Sequence, residues 1–387
     1  MRILINCDNY LSVNTLTLTS IKIDGKTMSK KMINKFLDKP FPLLTTLDCT
    51  YTKIKNIPVI PTLTSLDCSH CPKITSIPNL DNLITLKCNE CCRITNIPKL
   101  DTITNISCYG CRKLYSIPEL NSLITLKCRG CRKMIYIPQL SKLTYLDCSG
   151  CLKLTNIPEL PVLTYLDCSN TKITNIPKID TLTNLDCNYC RNLSFISECY
   201  NLTSLNCSMC LNLISIPMFS SLKSLNCSWC TNLATIPLLQ SLTNLMCTGC
   251  NRIRTIPQLH NLTILNCSKC HSLTNIPRLK NLTSLYCCEC NGLTTIPVFN
   301  NLTTLYCSNS INLISIRRLP KLNVLNGKKI VKDINIILAT PTLEECVICY
   351  TNIDVYITKC NHTFHKGCLD TWLKNHSDCP YCRMELY

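Results

Sequence analysis

Eight cysteines and histidines follow one another near the C-terminus: Cys346, Cys349, Cys360, His362, His365, Cys368, Cys379 and Cys382. Their spacing is C-x2-C-x10-C-x-H-x2-H-x2-C-x10-C-x2-C. Thiolates and imidazoles are the ligands zinc prefers, and a C-x2-C pair wraps one side of a tetrahedral ion. Eight ligands fill two four-coordinate sites and leave no position for a catalytic water. The metal is therefore expected to be structural, and activity must come from the surface it shapes. So short a segment cannot bury a self-sufficient core. Zinc contributes on the order of 10–16 kcal/mol to structural sites of this kind, so loss of any ligand should unfold the segment.

The order and gaps resemble the RING finger with two central histidines. The match extends beyond the ligands: apolar Ile348 between the first two, an H-x-F-H-x-x-C-[IL]-x-x-W-L run from His362 to Leu373, and a C-P-x-C-R ending from Cys379 to Arg383. The resemblance implies interleaved ligation, with Cys346, Cys349, His365 and Cys368 on one Zn2+ and Cys360, His362, Cys379 and Cys382 on the other. It also implies the activity of an E3 ubiquitin ligase without a nucleophile of its own. Such a finger holds a ubiquitin-charged conjugating enzyme (E2), so that the rate gain is positioning. Ile348, Trp372 and Pro380 would then form the apolar shelf for that enzyme. Arg383 would bridge it to ubiquitin, since a planar guanidinium can serve two acceptors. Trp372 also falls three residues after Leu369 on a short helix, the spacing of a shared core face. Arg383 could equally be an ordinary surface arginine.

Before this segment the sequence repeats itself. A landmark cysteine recurs at 49, 68, 88, 108, 128, 148, 168, 187, 207, 227, 247, 267, 287 and 307, in steps of twenty or, twice, nineteen. The consensus is L-x-x-L-x-C-x-x-C-x-x-[LI]-T-x-I-P-x-L-x-x. It resembles the leucine-rich repeat, with cysteine in the third apolar slot. Both short steps follow copies with threonine in place of the second cysteine, Thr52 and Thr171. There the next apolar residue, Ile54 or Ile173, comes one position early. Leu66 and Cys68 alternate as on a strand facing inward, and the Ile-Pro step fixes an extended return. The expected fold is a leucine-rich repeat solenoid with parallel strands inside and extended or 3₁₀ segments outside, followed by a small zinc-bound α+β finger. Residues 1–42 would form an N-terminal cap, 43–330 the solenoid, 331–343 a linker and 344–387 the finger. Ile334 through Leu338 could form a short helix ended by Pro341.

The repeated C-x2-C pairs could also suggest zinc. Against this, the cysteines sit in register with leucine and isoleucine slots, and Thr52, Thr171 and Ser310 replace the second one. Small buried thiols acting as hydrophobes explain the pattern better. Of the 35 cysteines, only Cys7, Cys92, Cys199 and Cys288 fall outside the repeat columns and the finger.

So many thiols argue for a reducing compartment. The start, Met1-Arg-Ile-Leu-Ile-Asn, has no signal-like apolar run. Cytoplasm or nucleus is the expected location, with no membrane partner. The net charge is +17, although residues 341–387 hold four basic and six acidic residues. Lys73, Arg93, Arg112, Lys113, Arg132, Lys133, Lys153, Lys172 and Arg191 form a basic row after the second cysteine. That row could draw an acidic partner or simply keep one edge solvated. It lacks interleaved aromatics, so nucleic acid is not the expected partner. In relatives of this architecture the concave face holds the partner; here Tyr109, Tyr145, Tyr165, Tyr286 and Tyr306 are the candidates, tyrosine being a frequent recognition anchor.

The whole layout resembles leucine-rich-repeat RING proteins of giant viruses of amoebae, which would place it in the host cytosol. The expected partners are an E2, ubiquitin and an unknown protein captured by the repeats. The alternative is a non-enzymatic adaptor whose finger only docks or dimerises.

Overall fold

Each repeat copy sends seven side chains inward, as Leu143, Leu146, Cys148, Cys151, Leu154, Ile157 and Leu160 do. No copy could hide that edge alone, so the copies stack. The computed structural model describes all residues except 1, 314, 317–318, 327, 330–345, 347, 350–354, 358–361 and 386–387. Its two compact units are 1–206 and 207–387.

In the first unit a parallel ladder runs from Arg2–Ile5 through Ser20–Ile23 and Thr46–Asp48 to Ser204–Asn206. Each strand in the regular copies has three residues, with the middle leucine or isoleucine buried and its neighbours on the open face. Register is strict: Leu66 opposes Leu86, and Leu146 opposes Leu166. The residues before the first regular copy supply two strands of this ladder and the helix Lys30–Leu37. Ser29 caps that helix by accepting from the Met32 N–H, and Ile33, Phe36 and Leu37 are its buried face.

In the second unit the ladder runs from Ser224–Asn226 to Val324–Leu325 and closes on an antiparallel strand, Lys328–Lys329. The segments returning between strands are extended. Some pair in parallel, as Asn175–Ile176 with Phe195–Ile196 and Thr295–Ile296 with Ser315–Ile316. Among the described residues the one 3₁₀ segment is Thr15–Thr17, outside the regular copies. No helix of the described residues is long and apolar enough to cross a membrane. The helix expected at Ile334–Leu338 lies outside the described residues.

The second cysteine of each copy is more than a small hydrophobe, which corrects the sequence reading. Its thiol donates to the carbonyl of the preceding copy's landmark cysteine: Cys91 to Cys68 at 3.1 Å, Cys131 to Cys108 at 3.1 Å, Cys270 to Cys247 at 3.0 Å. Ser310 repeats this bond to Cys287 at 2.8 Å. Thr52 and Thr171 instead donate to Cys49 and Cys168 of their own copies, at 2.8 and 2.7 Å. What the column supplies is a small buried donor for a strand-end carbonyl that in most copies also accepts the N–H three residues on, as Cys108 does from Cys111 at 3.2 Å. The asparagines of N-x-[ST] triplets serve a similar end: Asn201 and Asn261 donate to Asp180 and Gln240 carbonyls of the preceding copy.

Two residues after each landmark cysteine the backbone is left-handed in all fourteen copies. Four of these positions are glycine, and two of them lie close against a neighbouring side chain. A Cβ on Gly110 would meet the Glu90 carboxylate, and one on Gly249 would lie 2.5 Å from the Trp229 ring.

Candidate zinc centre and docking surfaces

A hairpin and a helix bring the finger's ligands together. Val355–Ile357 pairs antiparallel with Thr363–His365, and the helix Lys366–Leu373 follows directly. His365 stands at the helix N-cap but makes no capping bond with its side chain. Its ring turns instead to sulfur, with Nδ1 2.9 Å from Cys349 Sγ and 3.9 Å from Cys368 Sγ. Its backbone N–H donates to Cys346 Sγ at 3.2 Å. The ligand atoms of Cys346, Cys349, His365 and Cys368 all lie within 4.8 Å of one another.

His362, Cys379 and Cys382 form a second group within the same limit. Cys360, the fourth expected member, lies outside the described residues. Crowding donors costs charge: partial desolvation first, then the Cys349 and Cys346 thiols, pushes the Cys368 thiol up to about 11. A cation between the donors reverses that penalty, so the donor chemistry fits zinc. The core beneath is small, with Phe364 and Leu369 buried among the ligands Cys346 and Cys379. Among the described residues, the repeats contribute no cluster of three or more such ligands.

The residues expected on the docking shelf stand differently. Ile348 is 41% exposed, and Trp372 and Pro380 are half-buried. Leu369 fills the core while Trp372 stays at its margin, so the shared core face is only half realised. The Trp372 indole N–H donates to the Asp378 carbonyl at 3.0 Å and carboxylate at 3.1 Å. The Arg383 guanidinium lies 4.6 Å from the Trp372 ring centre and 3.6 Å from Asp378. His376 stacks on the same indole at 4.0 Å. Asp378 and His376 were not singled out from sequence. The spacing of Asp378, directly before the Cys379 pair and six residues after Trp372, was the available signal.

On the repeats, Tyr145 and Tyr165 occupy the first position of adjacent strands and stack at 4.4 Å. Tyr286 and Tyr306 occupy the third position of theirs and stack at 5.0 Å. Tyr109 departs from expectation. It falls beyond its strand, Asn105–Ser107, next to the left-handed Gly110 of the following turn. The nine cations of the basic row are all exposed.

A stacked parallel ladder with a zinc finger after it defines a repeat solenoid carrying a metal-organised module. Comparison with known proteins sharpens both halves. Residues 344–383 match the Ring finger domain family. The chain is 37% identical over 78 residues to E3 ubiquitin-protein ligase ATL23 of Arabidopsis thaliana, covering 19% of this chain and 44% of that protein. It is 40% identical over 75 residues to RING-H2 finger protein ATL73 of the same plant, covering 16% and 43%. The chain thus spans under half the length of the curated relatives it matches. Among solved structures, YopM of Yersinia enterocolitica aligns with a TM-score of 0.50 at 21% identity, over 75% of each chain. A leucine-rich repeat protein of Bacteroides ovatus aligns at 0.50 and 17%, over 76% of this chain and 87% of that one. These two likenesses concern the fold alone. The chain joins a leucine-rich-repeat solenoid to a C-terminal RING-H2 finger with zinc-binding groups.

Proposed function

We propose that the protein is a RING-type E3 ubiquitin ligase whose repeats capture the protein to be modified. The observation that carries this is the interleaved grouping of ligands: Cys346 and Cys349 converge with His365 and Cys368, while His362 converges with Cys379 and Cys382. By its place in the ligand order Cys360 would be the fourth ligand of the second site. The two ions would fix the relative placement of Ile348, Trp372 and Pro380, on which a conjugating enzyme docks. Arg383, held beside Trp372 by Asp378, reaches from that shelf to ubiquitin. No side chain of the finger attacks the thioester; two bound reactants are held in a productive pose. Names of relatives such as ATL23 support the same reading. The described cysteines are not joined in disulfides, which fits action in the reducing cytosol or nucleus.

The test is autoubiquitination by the purified full chain with ubiquitin, ATP, an activating enzyme and a panel of conjugating enzymes. Activity is expected with at least one. Ile348→Ala with Trp372→Ala should reduce it about a hundredfold, because truncating buried interface anchors costs a few kcal/mol. Full activity in that variant would place the docking surface elsewhere. Inactivity with every enzyme would leave the adaptor reading.

A further inference from the structure

The open face of the first unit carries charge in an uneven column. Strand register lines up Lys22, Asp48, Asp67, Lys87, Ser107, Lys127, Asp147, Asp167, Asp186 and Asn206. Asp48 and Asp67 lie between two lysines, and Lys22 Nζ is 3.6 Å from Asp48. Asp147, Asp167 and Asp186 stand in three consecutive strands with a lysine on one side only. Among the described residues no lysine or arginine nitrogen comes within ion-pair distance of them.

Their local duty does not need charge. Each accepts the N–H two residues on, Ser149, Ser169 and Asn188, at 3.0–3.1 Å. Asn226 and Asn266 cap the equivalent turns of other copies in the same way, at 3.1 and 3.2 Å. Like charges directly opposite on a sheet are destabilising. Burial, and then the neighbouring Asp147 and Asp186, hold the Asp167 carboxyl above its ordinary range. Three stacked like charges cost stability, and the N–H bond of each turn is one that asparagine also makes; Asp186 alone adds a bond with its second oxygen, which accepts from Asn206 Nδ2 at 3.0 Å.

Two residues before Asp147 and Asp167, on the same open face, Tyr145 and Tyr165 stack with parallel rings. Lys127 Nζ already lies 5.2 Å from the Tyr145 ring centre, so this aromatic face accepts an ammonium. Aromatic faces bind cations, and basic side chains lay their apolar stems on such surfaces while the charged head reaches onward. The three carboxylates span two strand spacings, about 10 Å. An extended chain places alternate side chains about 7 Å apart on one side, so two basic residues at alternate positions fall within the length of the column.

We propose that the face formed by Tyr145, Tyr165, Asp147, Asp167 and Asp186 binds a lysine- or arginine-rich segment of a protein, an inference that rests on the repeats being the substrate-capturing part. The test is fluorescence polarisation with the zinc-loaded full chain and a labelled octapeptide of alternating lysine and serine. Two control peptides carry acetyl-lysine or glutamate in place of lysine. The wild type should bind the lysine peptide alone. Asp147→Asn with Asp167→Asn and Asp186→Asn should weaken binding at least about tenfold, with an unfolding temperature equal to or above wild type. Tyr145→Thr with Tyr165→Thr should weaken it about threefold. Failure of the wild type to bind, undiminished binding by the asparagine variant, or equal binding of the glutamate peptide would each overturn the proposal. So would displacement of the peptide by calcium alone at low millimolar concentration. Autoubiquitination run in parallel should be equal in wild type and asparagine variant. Lost peptide binding with intact ligation therefore separates this face from the finger.

Discussion

Repeats and finger both present C-x2-C, and they use it in opposite ways. In the repeats, the second cysteine of a pair looks away from its partner toward the copy before, and its thiol donates to a backbone carbonyl 23 residues upstream. The landmark sulfurs stay protonated because their column is buried: burial, followed by nearby thiols and carboxylates, pushes Cys148 and Cys168 well above the ordinary thiol value. In the finger, the pair turns inward on itself and meets a histidine and a cysteine from the far side of a hairpin. Two-residue spacing permits either outcome. The backbone between copies decides the first, and convergence of four donors decides the second.

One substitution made in both regions tests this contrast most severely. Serine replaces the donor of the repeat but not the thiolate of a zinc site. Cys379→Ser should lose zinc and unfold the finger, because the ions supply on the order of 10–16 kcal/mol and, among the described residues, the apolar core is small, with Phe364 and Leu369 between ligands and Leu373 against them. Protease sensitivity confined to the C-terminal segment, with two zinc equivalents in the wild type, is the readout. Cys131→Ser should leave zinc content and melting of the repeats nearly unchanged, since Ser310 already makes the same bond in its own copy. Zinc lost from the Cys131→Ser protein would refute the division.

Alanine separates the donor role from simple packing. Cys131→Ala leaves the Cys108 carbonyl without its thiol partner. That carbonyl still accepts the Cys111 N–H at 3.2 Å, so the lost bond costs about 0.5–1.5 kcal/mol, and the small void adds to it. Denaturant unfolding should place the alanine variant below the serine variant by about that amount. If the two were equally stable, or serine the weaker, the column would be hydrophobic after all.

Much of this was written in the sequence, for identifiable reasons. The ligand order, the landmark register and the shortened loops after Thr52 and Thr171 are periodic or metal-constrained, and such constraints fix residue type. The donor role of the second cysteine was hidden because a thiol passes for a hydrophobe. Only the hydroxyl identity of Thr52, Thr171 and Ser310 betrayed it. The left-handed column was less legible still. Tyr51, His70, Glu90, Met209 and Trp229 share one backbone conformation with nothing chemical in common, since the copy stacked beside each one enforces it. Tyr109 falls off the open-face ladder because its three-residue strand, Asn105–Ser107, ends sooner than alternation suggests. The Asp378 anchor for Trp372 and Arg383 depends on how the chain turns after the helix, of which the sequence shows only the place of Asp378 directly before Cys379.

Proton competition should move the two regions in opposite directions, and this is the smallest effect expected. Cys148, Cys168 and Cys287 have folded-state values well above 9.0, burial being the first cause. Hydrogen bonds to the landmark cysteines lower donor thiols such as Cys71 and Cys91, but the more deeply buried landmark thiols keep protons that an unfolded chain gives up. Their stabilising contribution is full below the ordinary thiol range, about 8.5, and declines as pH rises through and beyond it. The finger behaves inversely, because protons compete with zinc for thiolate and imidazole, so acid weakens it and mild alkali does not. Melting followed separately in each region should show the repeats losing a few degrees between about pH 8 and 10. The finger should hold over that range and release zinc only as the pH falls below about 6. Parallel loss in both regions on the alkaline side would mean that the repeat thiols ionise as freely as the metal ligands, and their burial would then have no hold on the proton.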